Sequence, residues 1–318
     1  MTTTLVTGSH GWVGSHLRRL LRSHGQQVIG VGRRPRTASD GERYLPVDLR
    51  DAQATSALVD AVRPETVFHL AATLPQRGPE VDDLVADTVQ TTYNLCQALR
   101  AHAGSGPTRL VLVGSSAQYG AVPPEQNPIT EQTLPRPFGA YGHAKAAAES
   151  LALAMAADGR IRVTATRPFN HIGPGADAST VAGALAVRVA DVLAGRRDRL
   201  RVADLDAVRD FTDVRDVARA YVELARADAA SGIYNVCSGS GVTVRTILET
   251  LLDLAGLDSS TVEVVDGESG VRRQVGSAAR LAAEVGWKAE IPLRDSLRAL
   301  LAGLTDGQRP HTDEKGAA

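Results

Sequence analysis

The sequence has 318 residues and a net charge of −1, from 35 basic and 36 acidic side chains. This balance gives no argument for binding nucleic acid or a membrane surface, and no apolar run reaches the roughly 18 residues that span a bilayer. Cys96 and Cys237 fall in separate apolar runs without a C-x-x-C motif, so we expect two reduced core thiols in a cytoplasmic protein. The histidines show no metal-binding spacing, and we expect no metal site.

A strand, a glycine turn and a helix are predicted at the N-terminus. The β-branched run Thr3–Thr7 predicts the strand, and leucines at helical spacing predict the helix. Between them Gly8, Gly11 and Gly14 form the pattern G-x-x-G-x-x-G, whose glycines let the backbone approach a pyrophosphate at the helix N-terminus. We therefore expect this turn to bind a dinucleotide. The contacting residues would be Gly8, Ser9, His10, Gly11, Trp12 and Val13.

The end of the second predicted strand, at 28–31, indicates which cofactor is used. Enzymes that prefer NAD usually carry an acid there, about 20 residues after the turn, which binds the ribose 2′-hydroxyl. This chain has Gly32 instead, followed by Arg33 and Arg34. A guanidinium pairs with a 2′-phosphate in bidentate fashion, so the sequence favours NADPH over NADH. Because arginine is abundant along the whole chain, the alternative is a solvated loop without a ligand.

Strand-like and helix-like segments alternate through the first half of the chain. The strands are predicted at 66–70, 109–113 and 162–166, and the helices at about 51–62, 81–103 and 138–158. This alternation predicts an α/β fold with a Rossmann-type, doubly wound parallel sheet.

A smaller C-terminal α/β lobe is expected after about residue 171, where the alternation loosens. Helices are predicted near 180–194, 213–228 and 243–255, with short strands at 234–237 and 262–265. We assign 1–170 and 204–236 to an NAD(P)-binding domain and 171–203 and 237–305 to a substrate-binding lobe. The polar segment 306–318 has the composition of a disordered tail.

Tyr141 and Lys145 form the most specific chemical motif. The chain has three lysines among its 35 basic residues, yet one of them follows a tyrosine by four positions. Residues at that spacing share a helix face, and a neighbouring ammonium favours the phenolate form of tyrosine. The pair therefore indicates proton transfer, the alternative being a surface tyrosine and lysine on an alanine-rich helix.

These motifs together resemble those of extended short-chain dehydrogenases/reductases of the NAD-dependent epimerase/dehydratase family, over roughly residues 3–303. The segments 167–175 (RPFNHIGPG) and 209–214 (RDFTDV) most resemble the GDP-4-keto-6-deoxy-mannose reductases, and 286–287 (GW) resembles a closing signature of the family. The resemblance implies a nicotinamide-dependent oxidoreductase that acts on a nucleotide-linked sugar. It also implies a homodimer joined through the helices at 81–103 and 138–158.

The resemblance also implies roles for individual residues. Ser115, with Ser116 as the alternative register, would bind the substrate carbonyl, Tyr141 would donate a proton, and Lys145 would lower the pKa of Tyr141 and hold the ribose. Asp48 would contact the adenine amino group. The remaining cofactor contacts would be Leu49, Leu70, Ala71, Ala72 and Pro168, and the substrate contacts Ser116, Asn170 and Arg209. For each polar residue the alternative is an ordinary surface or capping role.

Three departures from the family pattern qualify this interpretation. Dehydratases of the family carry an acid where this chain has Ala117, and a methyl group cannot transfer a proton. Thr88 and Thr91 replace the family's Asn and Gly. An arginine that often grips the substrate phosphates aligns with Gly267, and Arg272 or Arg273 is the candidate replacement.

The sequence thus predicts NADPH-dependent reduction of the C4 ketone of a nucleotide-linked 4-keto-6-deoxy-hexose. Three alternatives stay open. They are an NAD-dependent nucleotide-sugar 4-epimerase, a reductase of a ketone without a nucleotide (which Gly267 favours), and a non-catalytic NADPH-sensing regulator. The identity of the nucleotide and sugar and the stereochemistry at C4 are not specified by these motifs.

Overall fold

A parallel sheet lies at the centre of the protein. The computed structural model describes residues 3–36, 43–73, 80–102, 104, 106–227, 231–265, 267 and 271–305. Their strands in chain order are β1 (Thr3–Thr7), β2 (Gln27–Gly32), β3 (Arg43–Pro46), β4 (Thr66–His69), β5 (Thr108–Val113), β6 (Ile161–Pro168), β7 (Asn170–Ile172), β8 (Leu200–Val202), β9 (Val208–Asp213), β10 (Gly232–Val236), β11 (Gly241–Thr243), β12 (Val262–Val264) and β13 (Arg273–Gln274).

Helices connect most of these strands. In chain order they are α1 (Trp12–Ser23), α2 (Ala52–Val62), α3 (Val81–Leu84), α4 (Thr91–Ala101), α5 (Gly139–Met155), α6 (Val181–Leu193), α7 (Val214–Arg226), α8 (Val244–Ala255), α9 (Ala279–Val285) and α10 (Leu293–Thr305). A π-helical turn, Val85–Gln90, joins α3 to α4. Among the described residues no helix has both the length and the apolar character needed to cross a membrane.

The central sheet has seven parallel strands in the order β10-β6-β5-β4-β1-β2-β3. Side chains alternate across a strand, so Leu5 and Val6 of β1 enter different cores. Val6 packs with α1 and α7 on one face, and Leu5 packs with α2, α4 and α5 on the other. Both faces are therefore buried, which suits the nearly continuous apolar runs of these strands. The predicted doubly wound α/β fold is confirmed.

The C-terminal part forms a second core around α6, α8 and α10. Next to it, β11, β9 and β13 form a small sheet in which β7 also pairs with β9, while β8 pairs with β12. Strand β9 belongs to this small sheet, whereas α7 packs on α1 and β10 extends the central sheet. We therefore propose that the chain returns to the first domain at 214 rather than at the expected 204.

A later segment also lies against the central sheet. Leu281 of α9 and Trp287 are buried in the core that contains α1 and α7, and the indole nitrogen of Trp287 donates to the Asp216 carbonyl at 3.0 Å. We propose that this stretch belongs to the first domain, although the expected boundaries put all of 237–305 in the substrate-binding lobe. The predicted tail at 306–318 lies outside the described residues.

A buried ion pair connects α5 to β6. Arg167 donates to Glu149 through Nη2 at 2.5 Å and through Nε at 3.0 Å, and both side chains are almost fully buried. Glu149 also accepts from the Gln118 amide at 2.9 Å. Removing one partner of such a pair leaves the other charge buried without compensation.

We expect Glu149→Met to lower the free energy of unfolding by about 3–5 kcal/mol, because it leaves the Arg167 charge buried. Replacing both Glu149 and Arg167 with Met should cost less than this single change, since no buried charge then remains. Urea denaturation of the two variants measures the difference. Asp253→Asn, which breaks an exposed pair with Arg294, is the control and should cost less than about 1 kcal/mol. A double variant that is less stable than Glu149→Met would contradict the prediction.

Candidate active site

The glycine turn after β1 has the geometry that close approach of a ligand requires. Gly8 has a φ of +62°, and a Cβ there would lie 2.9 Å from the Ala71 nitrogen. A Cβ on Gly14 would lie 2.4 Å from the Gly8 carbonyl oxygen. Only glycine fits these two positions without a shift of the backbone. The turn leads directly into α1, so the N-terminal N–H groups of that helix are presented beside it.

A cavity of about 170 Å³ opens beside this turn, at the carboxyl ends of the strands. This is the edge where open α/β sheets bind their ligands. Of the expected cofactor contacts, it is lined by Gly8, Arg33, Asp48, Leu49, Ala71 and Ala72. It is also lined by Val31, Gly32, Val47, Asp87 and Thr91. A narrow apolar slot with an adjacent glycine turn, helix N-terminus and guanidinium fits the adenosine and pyrophosphate parts of a dinucleotide.

The charged side chains of the cavity are paired with one another. Asp48 is held by Arg50, whose Nε and Nη2 donate to the carboxylate at 3.0 and 2.5 Å. Arg33 donates to Asp87 at 3.0 Å, and Arg50 lies 3.8 Å from the same carboxylate. The hydrogen bonds from Arg50 hold the pKa of Asp48 below its ordinary value. Arg34, also an expected contact, is exposed, and its carbonyl accepts from Tyr44 at 2.8 Å.

Ser115, Tyr141 and Lys145 lie together at the end of β5. The Ser115 side chain lies close enough to the Tyr141 phenol to lower its pKa. The Lys145 ammonium lies 6.0 Å from the centroid of the Tyr141 ring and donates to the Val113 carbonyl at 2.8 Å. The sequence pattern thus brings all three side chains to one place, although Lys145 bonds to the backbone rather than to the phenol.

Close packing fixes the approach of α5 to this serine. A Cβ on Gly142 would lie 2.7 Å from the Ala117 carbonyl oxygen, so the residue after Tyr141 must be small. Ser115 caps a 3₁₀ turn, Ser116–Gln118, and its own N–H donates to the Gln118 side chain at 2.9 Å. Gln118 in turn donates to Glu149. Gln118 thus links the serine turn to Glu149, a contact that the sequence analysis did not identify.

Burial moves the two titrating groups in opposite directions. It raises the pKa of Tyr141, and the nearby Ser115 side chain opposes that rise. It lowers the pKa of Lys145 to about 8. The expectation that Lys145 lowers the pKa of Tyr141 considered the charge of the neighbour alone, whereas desolvation is the larger effect in this structure.

A small void lies beneath Lys145. It is lined by His69, Ala71, Thr88, Thr92, Leu112, Val113, Gly114, Lys145 and Ala148. The Thr88 hydroxyl is buried and has no hydrogen-bond partner among the described residues. His69 contacts Thr7 at 2.8 Å and Thr92 at 3.1 Å, and burial lowers its pKa to about 3. A neutral histidine therefore occupies this layer, while Thr91 lines the larger cavity.

The expected substrate contacts come from the small sheet. Asn170 on β7 donates to the Asp210 carbonyl at 3.2 Å, and Arg209 on β9 donates to the Val208 carbonyl at 2.9 Å. Gln274 pairs in register with Arg209, and its amide donates to the Ser116 carbonyl at 3.1 Å. Gln274 therefore connects this sheet to the serine turn, a contact that the sequence analysis missed because the two segments lie 158 residues apart.

The two candidate replacements for the arginine missing at Gly267 lie at the start of β13. Arg273 pairs in register with Val208, one position from the pair formed by Gln274 and Arg209. Because side chains alternate across a strand, Arg273 and Arg209 belong to opposite faces of the small sheet. Arg272 is exposed, and its carbonyl accepts from Val208 at 2.9 Å. The alternation thus separates Arg273 from the face that contacts the serine turn.

Known proteins resemble this chain along nearly its whole length. A family model described as the NAD dependent epimerase/dehydratase family matches residues 4–237. The GDP-6-deoxy-D-mannose reductase of Pseudomonas aeruginosa is 37% identical over 311 residues, covering 93% of this chain and 95% of that protein. The dTDP-6-deoxy-L-talose 4-dehydrogenase (NAD(P)(+)) of Kitasatospora kifunensis is 28% identical over 301 residues, covering 93% of each.

Solved structures agree with this similarity. RMD from Pseudomonas aeruginosa complexed with NADPH superposes with a TM-score of 0.83 and 34% identity, covering 96% of this chain and 99% of that chain. The UDP-glucose 4-epimerase of Thermus thermophilus in complex with NAD superposes with a TM-score of 0.84 and 27% identity, covering 96% and 100%.

The lowered pKa of Lys145 predicts a pH-dependent cost to stability. With a pKa of about 8 in the folded chain and about 10.4 in the unfolded chain, the unfolded chain binds more protons between these values. The stability of the wild type should therefore rise with pH through this window. Lys145→Met removes the effect, so the stability of this variant relative to wild type should fall by roughly 1–2 kcal/mol between pH 7 and 9.5.

Urea denaturation at the two pH values measures this change. Lys288→Met, which removes an exposed ammonium, is the control and should show a constant difference from wild type. A constant difference for Lys145→Met would contradict the prediction.

Proposed function

The chain belongs to the NAD dependent epimerase/dehydratase family, and we propose that it reduces the C4 ketone of a nucleotide-linked 4-keto-6-deoxy-hexose with NADPH. The observation that carries the proposal is the convergence of Ser115, Tyr141 and the buried Lys145 at the end of β5, with a methyl group at Ala117. This set supplies a proton donor for a ketone and no second acid for dehydration. The 37% identical relative is a GDP-6-deoxy-D-mannose reductase, which supports the same reaction class.

Each residue of the site has a distinct task in this proposal. NADPH, when bound, supplies the hydride to C4. Ser115 and Tyr141 donate hydrogen bonds to the ketone oxygen and stabilise the negative charge that develops on it. Tyr141 then transfers its proton to that oxygen. Lys145 holds the ribose and, by its charge, favours the phenolate that the transfer leaves.

The raised pKa of Tyr141 agrees with a proton donor. An alkoxide is a much stronger base than a phenolate, so a phenol that keeps its proton at neutral pH still gives it up to an alkoxide. Oxidation of an alcohol, the first half of a 4-epimerase cycle, instead needs the phenolate as a base. A raised pKa therefore suits the proton-donating step that the proposed reduction requires.

The two ends of the substrate and cofactor would be held by different parts of the protein. The glycine turn from Gly8, together with Pro168 and the cavity, would hold the cofactor, with Arg33 and Arg34 toward the 2′-phosphate. Asn170 and Arg209, assisted by Gln274 and Ser116, would hold the diphosphate side of the substrate. The structure with NADPH that superposes at a TM-score of 0.83 supports this choice of cofactor.

We also propose that the protein is a cytoplasmic homodimer. Val81, Val85 and Tyr93 are 60%, 48% and 41% exposed along the helical segment 81–101, at multiples of four residues. An exposed apolar stripe of this kind favours a protein contact, and the family resemblance assigns the dimer contact to this segment and to α5. The two cysteines are buried and unpaired, which suits a reducing compartment.

The activity is tested with a panel of nucleotide-linked sugars. We expect NADPH consumption with a 4-keto-6-deoxy-hexose nucleotide and no formation of that compound from the parent hexose nucleotide. Loss of general acid catalysis at the Ala117 position would slow dehydration by roughly 10²–10⁴-fold. Rapid dehydration of the parent would contradict the proposal. Bound NAD and interconversion of C4 epimers without net NADPH consumption would identify a 4-epimerase instead, and reduction of only nucleotide-free ketones would identify the other reductase.

Tyr141→Phe tests the proton donor. We expect turnover to fall by roughly 10²–10⁴-fold, because the hydroxyl that protonates the alkoxide is lost, while cofactor affinity changes little. Steady-state kinetics and calorimetric titration with NADP⁺ measure the two effects. Tyr93→Phe, an exposed tyrosine of α4, is the control. Full activity in Tyr141→Phe would exclude the assignment, and a wild type that binds NADPH but reduces no ketone would favour the non-catalytic, NADPH-sensing alternative.

A further inference from the structure

Asp87 occupies the candidate cofactor cavity although nothing in its sequence context indicates that position. It lies on the π-helical turn between α3 and α4, and its side chain is 11% exposed. Its carboxylate accepts from Arg33 at 3.0 Å and from the Thr73 hydroxyl, and Arg50 lies 3.8 Å away. Two hydrogen-bond donors and a second guanidinium hold this carboxylate in place at the cavity that it lines.

Asp87 places an acid in the cavity where the cofactor would bind. The sequence favours NADPH because no acid stands at the end of β2, where Gly32 lies. The structure brings an acid into the same cavity from another element, 54 residues beyond Arg33 in the sequence. An acid near the adenosine ribose accepts a hydrogen bond from a 2′-hydroxyl and repels a 2′-phosphate.

The two carboxylates of the cavity are each paired with arginine. Asp48 pairs with Arg50, which lies beside the cavity, and Asp87 pairs with Arg33 and lies 3.8 Å from Arg50. A 2′-phosphate that bonds to Arg33 must share that guanidinium with Asp87 or displace it. A phosphate bound to the Arg33 guanidinium lies within a Debye length of the Asp87 carboxylate, because Asp87 accepts from the same guanidinium at 3.0 Å.

We propose that Asp87 is a cofactor-discriminating residue, whose carboxylate competes with the 2′-phosphate of NADPH for Arg33 and so lowers the preference for NADPH over NADH. This rests on the proposed function to the extent that the cavity binds a nicotinamide dinucleotide. It follows that the chain accepts NADH more readily than its Arg33-Arg34 sequence suggests. A substitution that removes the charge of Asp87 and keeps the shape of its side chain should leave Arg33 free to bind the 2′-phosphate of NADPH.

Asp87→Asn is the direct test, with calorimetric titration of NADP⁺ and NAD⁺ as the readout. We expect NADP⁺ to bind roughly ten-fold more tightly, because the change removes a like charge beside the guanidinium in a partly screened site. Binding of NAD⁺ should stay within about two-fold, since it carries no 2′-phosphate. Asp60→Asn, which removes the carboxylate of an exposed pair with Arg63, is the matched control and should change neither affinity.

Arg33→Gln separates competition from simple repulsion. If Asp87 acts by occupying Arg33, the gain in NADP⁺ affinity from Asp87→Asn should largely disappear when Arg33 is already Gln. An unchanged or weaker affinity of Asp87→Asn for NADP⁺, an equal gain for NAD⁺, or a full gain in the Arg33→Gln background would each overturn the proposal.

Thermal melting checks that the Asp87→Asn variant is folded. If the amide is not tolerated, Asp87→Ser replaces it, because serine is smaller, uncharged and able to form hydrogen bonds. The titrations do not depend on turnover. A wild-type protein that binds both dinucleotides but reduces no keto sugar would therefore refute the proposed reaction while leaving the role of Asp87 measurable.

Discussion

The buried ion pair between Glu149 and Arg167 is the interaction on which the candidate active site depends. Tyr141, Lys145 and Glu149 follow one another at four-residue spacing on α5, so the carboxylate that binds Arg167 fixes the face that presents the other two. The same carboxylate accepts from Gln118, which accepts from the Ser115 N–H. Because neither charge has solvent as a substitute partner, this pair ties α5 to β6 and, through Gln118, to the turn that carries Ser115.

Desolvation at this site has a chemical consequence. Burial at this site raises the pKa of Tyr141 and lowers the pKa of Lys145. A proton donor for an alkoxide benefits from holding its proton until the alkoxide forms. In the same environment, hydrogen bonds to a developing oxyanion are stronger than they would be in water. The same burial lowers the free energy of unfolding at neutral pH, because the pKa of Lys145 is lower in the folded chain than in the unfolded chain.

Local patterns predicted the central sheet well, and they indicated several residues that the structure brings together at the candidate site. The strand before Gly8, the glycine turn and the four-residue spacing of Tyr141 and Lys145 depend on contiguous residues, and the corresponding elements begin and end within a few positions of those expected. Asp87 and Gln274 could not be found in this way. Each reaches the site through pairing between elements far apart in sequence, and Asp87 also depends on a π-helical turn that hydrophobic periodicity does not predict. Such contacts are set by tertiary packing.

The arginine-rich composition shows why charge counting fails at this cavity. In the sequence Arg33 appears as a positive charge available to bind a phosphate, and Arg50 adds a second one. In the structure each faces a carboxylate, so the local field depends on how the pairs are arranged and not on how many arginines are present. A guanidinium that already pairs with a carboxylate contributes less binding free energy to an anionic ligand, because the ligand must displace that carboxylate or share the guanidinium with it. The affinity of this cavity for a phosphate is therefore set as much by Asp48 and Asp87 as by the arginines that the sequence displays.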